Sequence, residues 1–127
     1  MNSTNPWDSI VGSCYTSESL ARVLGWTEAE VVTAAARLTV LELLTVERVR
    51  LYPTFQVHEG RMVGGLDAVL QVLSNGTQSR WTWAQWLNTR VDDDSGEEGP
   101  SAIEQLREGH LGDVLHSARH VAWTWST

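Results

Sequence analysis

The chain reads as a mostly α-helical protein with a small β element: an N-terminal helix-turn-helix-like unit, with or without a wing, followed by a compact helical domain. Three observations predict this. Every long segment after Gly65 repeats its apolar residues at helical spacing, the stretch from about Leu43 to Val57 alternates instead, and two short helical patterns meet at Gly25-Trp26. With 127 residues and 42% hydrophobic content, the chain can bury one core or two small ones that share an interface.

Residues 1–16 lack periodicity and are rich in Asn, Ser, Thr, Pro and Gly, which predicts a flexible arm with at most a helical turn from Trp7 to Val11. From Ser17, Leu20, Val23 and Leu24 mark one helix face, and Gly25 stops that helix in the left-handed position. Thr27 and Glu30 form a capping box for a second helix, whose buried face is Val31, Ala34, Ala35 and Leu38. The apolar runs Val40–Val46 and Val49–Tyr52 flank Glu47-Arg48, and their β-branched residues and approximate alternation predict either two short strands, which would form a wing, or a strand after a helical end; they close a unit over residues 17–52.

A second unit spans residues 53–127. Its opening strand is expected to carry Phe55 and Val57 on one side and Thr54, Gln56 and His58 on the other, and to turn at Gly60. Leu66, Val69, Leu70 and Leu73 predict a helix that ends at Ser74-Asn75-Gly76. A short helix near Thr82 places Trp83, Trp86 and Leu87 on one buried face, with Trp81 ahead of it. The acidic run from Asp92 to Glu98 reads as a solvated connection: as a calcium loop it would carry Glu97 where glycine is required and Ile103 where glutamate is required. Ser101 and Glu104 cap the next helix, which Gly109 ends, and a last helix carries Leu111, Val114, Leu115, Ala118 and Ala122 along one face.

Charge narrows the function classes. A net charge of −7 argues against a generic nucleic-acid binder but permits a local basic face. Of the basic residues, all arginine, five stand before Gly65 against seven acids and four after it against nine. The first half is thus the place for DNA contacts, and the candidates there are Arg22, Thr33, Arg37, Arg48 and Arg50. The alternative for these helices is a structural or dimerising pair. The lone Cys14 has no partner for an internal disulfide, and Asp113, His116 and His120 share a helix face without a fourth ligand, so no metal, cofactor or enzymatic activity is expected. Without a secretion signal or a membrane-length apolar run, the expected location is the cytoplasm.

LYPTFQVHEGRMVGGL at Leu51–Leu66, followed by WTWAQWLNTR and PSAIEQLREGHLGDVL, resembles the Xre/MbcA/ParS toxin-binding family over about half the chain. Arg90 stands where that family commonly has proline. The resemblance implies an antitoxin that neutralises a RES-domain toxin and regulates its own operon by binding operator DNA; because a single short helix with so little positive charge gives little affinity, a homodimer is expected. The family's use of the C-terminal segment to block the toxin's pocket points to Trp123, Trp125 and Thr127 as toxin contacts, although the two indoles could equally be internal core. The alternative reading is a stand-alone DNA-binding transcriptional regulator, of phage descent or otherwise, with no toxin.

Overall fold

The computed structural model describes residues 11–92 and 98–126. Strand β1 (Cys14–Tyr15) precedes helices α1 (Ser17–Leu24) and α2 (Glu28–Ala36), and strands β2 (Leu43–Leu44) and β3 (Arg50–Pro53) follow them. A 3-10 turn at Thr54–Gln56 leads to the hairpin of β4 (Val57–His58) and β5 (Arg61–Met62). Next come α3 (Leu66–Leu73), α4 (Arg80–Asn88), the hairpin of β6 (Arg90–Asp92) and β7 (Glu98–Ser101), α5 (Ala102–Arg107) and α6 (Leu111–Ser126). The protein is mostly helical with small sheet elements, as its periodicity predicts.

The helix starts follow local chemistry. Thr16, Thr27 and Ser101 each cap a helix through a reciprocal side-chain and backbone pair, the last two being the boxes expected from sequence. Gly25 ends α1 at φ 74°, a conformation that costs glycine nothing. Without a glycine to do the same, α2 ends through Leu38 at φ 61°, and Thr39 donates its N–H to the Ala34 carbonyl at 2.9 Å. The helix therefore stops at Ala36, and Leu38 packs against the larger core.

Two cores form. The smaller joins Leu20, Ala21, Val31, Ala35, Val40 and Tyr52, which fastens the helix pair to β3. The larger is built on α3 to α6, with Trp83, Leu70, Leu73, Leu87, Ile103 and Val114 among its buried members. The boundary expected at residue 52 is blurred, because Leu41 and Leu43 belong to the larger core while Val57 packs against the smaller and Met62 against both.

Several expectations need correction. Val11 is buried in the larger core and Cys14–Tyr15 pairs antiparallel with Tyr52–Pro53, so residues 11–16 are part of the fold and not an arm; residues 1–10, with most of the Trp7–Val11 turn, lie outside the described residues. The 3-10 turn at Thr54–Gln56 interrupts the alternation expected there, and Phe55 and Gln56 are both buried. The acidic connection is entered and left by paired strands, Arg90 opposite Ser101 and Asp92 opposite Glu98. Its middle, 93–97, lies outside the described residues.

Candidate nucleic-acid interface

The helix-turn-helix outline is formed by α1 and α2, with Trp26 donating its backbone N–H to the Ala21 carbonyl at 2.9 Å across the turn. Burial of Val31 and Ala35 turns Ala29, Glu30, Thr33, Ala36 and Arg37 outward. Glu30, Thr33 and Arg37, with Trp26, Ala34 and Thr39, line an open depression of about 390 Å³. The carboxylates at the start of α2 already have partners: Glu30 accepts the Thr27 N–H at 2.8 Å, and Glu28 accepts the Ser17 hydroxyl at 3.2 Å.

The expected wing is present. Leu43 faces Leu51 and Leu44 faces Arg50 in an antiparallel pair, and β3 sits between β1 and β2 in a three-stranded sheet. The turn closes through three bonds to Thr45 and Val49: Thr45 N–H to the Val49 carbonyl at 3.0 Å, Arg48 N–H to the Thr45 carbonyl at 2.9 Å, and Val49 N–H to Thr45 Oγ1 at 3.0 Å. Arg48 holds the left-handed position at φ 66°, and Val46 is 98% exposed.

Below the turn, the fully buried Tyr52 donates its hydroxyl to Glu42 at 2.7 Å, and Arg50 Nε lies 3.7 Å from the same carboxylate. Burial, the bond to Glu42 and the charge of Glu42 together hold the Tyr52 phenol well above its ordinary value. From the other unit, the Trp81 indole donates to the Leu44 carbonyl at 3.1 Å and braces the outer strand of the wing.

The five predicted DNA-contact residues thus separate into groups. Thr33 and Arg37 lie on the outer face and end of α2, and Arg48 and Arg50 on the wing. Arg22 sits apart on α1, paired with Glu18 at 2.9 Å. Among the described residues Arg37 and Arg48 form no ion pair. Sequence reasoning missed the braces, Trp81 on the Leu44 carbonyl and the buried Gln56 side chain on the backbone of Leu41, because neither residue type nor spacing says which distant backbone group a polar side chain will meet.

At the far end, the two C-terminal indoles divide. Trp123 is 66% exposed with its ring centroid 6.5 Å from that of His120, whereas Trp125 is half-buried against the larger core. Thr127 lies outside the described residues. Gly76 lets the loop after α3 reach α6: a Cβ there would stand 2.5 Å from the Ala122 carbonyl oxygen. Among the described residues no group of three His, Cys, Asp or Glu side chains is placed to hold a metal, and Asp113, His116 and His120 are all exposed. No helix of the described residues is long and apolar enough to cross a membrane.

The chain is similar in fold to Rv2175c. Its NMR structure matches with a TM-score of 0.70, covering 87% of this chain and 81% of that one, at 18% sequence identity. At that identity the likeness is one of fold. No family model and no curated protein matches the chain.

Proposed function

We propose that this is a winged-helix DNA-binding regulator of the cytoplasm. The observation that carries the reading is the wing: a braced hairpin joined to a helix-turn-helix through Tyr52, with Arg48 at its turn and no carboxylate paired to it among the described residues. In this reading Thr33 on α2 faces base edges in the major groove, while Arg37, Arg48 and Arg50 take phosphates. Arg22, tied to Glu18, contributes less.

So few cations on a chain of net charge −7 give weak, salt-sensitive affinity, and a homodimer on a two-fold operator doubles the contacts. Replacing Arg37, Arg48 and Arg50 together with Ala abolishes a low-salt shift of the protein's own promoter fragment. A triple variant that shifts DNA as well as the parent refutes the surface.

A second reading follows the resemblance, in which the same protein neutralises a RES-domain toxin and represses its own operon. Trp123 favours it: an indole 66% exposed at the end of a helix is an anchor in search of a pocket. Under this reading Trp123 makes the toxin contact, together with Trp125 and Thr127, the other two residues that the resemblance points to. Coexpression with a RES-domain toxin from a neighbouring gene tests the reading directly: finding no such gene, or a Trp123→Ala variant that still rescues growth, counts against it.

A further inference from the structure

The cleft between the β4–β5 hairpin and α5 is unused by either reading. It has a volume of about 430 Å³, within the range of small-molecule sites, and it lies at the joint of the two cores. Its rim carries His58, Glu59, Arg61 and Arg107, and Met62, Val63 and Leu106 supply apolar lining, the latter two buried.

The local backbone builds this rim. Glu59 and Gly60, at φ 53° and 76°, make a tight turn that sets His58 and Arg61 opposite each other in the ladder. Arg107 reaches across from α5 and donates to the Phe55 carbonyl at 2.6 Å, which fixes one edge of its guanidinium. Arg61 forms no ion pair among the described residues, and His58 Nε2 lies 3.8 Å from Glu59. The nearby Glu104 carboxylate is engaged by Arg90 at 3.0 Å and by the Ser101 N–H at 3.0 Å. Two guanidiniums and an imidazole therefore face the cleft against one largely exposed carboxylate.

We propose that this cleft binds a small organic anion, a phosphate or carboxylate joined to an apolar body. Arg61 and Arg107 take the charged group, as guanidinium forks do, and the body lies against half-buried Met62, with Val63 and Leu106 beneath it. The concave shape favours a small molecule over a polynucleotide backbone. A ligand here would touch Met62, which contacts both cores, beside a turn whose Gly60 faces the Val23 carbonyl of α1.

The test is a ¹H–¹⁵N titration of the full chain with phenyl phosphate, inorganic phosphate and a short duplex in parallel, independent of any DNA or toxin assay. Phenyl phosphate is expected to shift residues 58–64 and the Arg107 side chain, and to bind about tenfold more tightly than inorganic phosphate, as burial of roughly 55 Å² of apolar surface requires. Arg61→Ala, at an exposed position, should weaken phenyl phosphate at least about fivefold, consistent with the loss of a charge-assisted hydrogen bond. Arg119→Ala, on α6 and outside the cleft lining, should leave it unchanged. Shifts scattered over the surface, equal affinity in Arg61→Ala, or phosphate binding as tightly as phenyl phosphate would each overturn the proposal. So would a duplex that shifts residues 58–64 where phenyl phosphate does not.

Discussion

The side chain of Gln56 makes two hydrogen bonds to the backbone of Leu41, donating from Nε2 to the carbonyl at 2.9 Å and accepting from the N–H at 2.8 Å. Gln56 is fully buried, and Leu41 is nearly so. An amide side chain thus satisfies the backbone of the segment leading into the wing and ties it to the 3-10 turn that opens the second unit. Replacing Gln56 with Leu keeps approximate volume but strands a buried donor and acceptor, each costing about 1 to 3 kcal/mol. Chemical denaturation should show a loss of about 2 to 4 kcal/mol; a variant as stable as the parent would mean that water or a backbone shift replaces the amide.

Phe55 precedes Gln56 in the same turn, is buried in the larger core, and offers its carbonyl to Arg107. Phe55→Ala should lose about 3 to 5 kcal/mol by emptying that volume. An unchanged melting temperature would contradict its place in the core.

Arg48 provides a way to separate binding from folding. A left-handed non-glycine residue costs roughly 1 to 2 kcal/mol, and Arg48→Gly relieves that strain while giving back about 0.5 to 1 kcal/mol in chain entropy. Arg48→Gly should therefore melt no lower than the parent and bind promoter DNA more weakly, with the slope of log affinity against log salt reduced by about 0.9 for each phosphate that the variant leaves unneutralised. Undiminished DNA binding would take Arg48 out of the interface.

Glu104 predicts an acid response. The backbone N–H of Ser101 holds its carboxyl below the ordinary value, outweighing desolvation, with the Ser101 side chain, Arg90 and Arg107 acting in the same direction. A carboxyl depressed by folding adds stability that is present above its unfolded value, near 4.5, and is lost as pH falls through the folded value. Stability measured between pH 6 and pH 3 should therefore fall less steeply in Glu104→Gln. An identical acid limb in the two proteins would show that the interaction has no energetic weight.

The C-terminal indoles make opposite predictions. Trp123→Ala should leave thermal unfolding within about 0.5 kcal/mol of the parent, as expected of an exposed side chain, whereas Trp125→Ala removes packing from the larger core and should lower stability by about 1 to 3 kcal/mol. A destabilised Trp123→Ala would return that residue to a structural role.

Much of the fold was legible in local chemistry. Gly25, the Thr27–Glu30 and Ser101–Glu104 boxes, and the helical stripes of α3 and α6 are signals contained within a few residues, because caps and amphipathic faces are set by near neighbours. The wing was legible only in part, since the alternation around Glu47-Arg48 fitted a strand after a helical end as well as two strands. What the tertiary structure alone decided is where long-range partners meet: the pairing of Cys14–Tyr15 with β3, the clamp of Gln56 on Leu41, the brace of Trp81 on Leu44, and the division between a packed Trp125 and an exposed Trp123. Each depends on two segments far apart in sequence arriving together. Spacing along one segment determines which face of an element is apolar, but the groups that cover that face come from elsewhere in the chain.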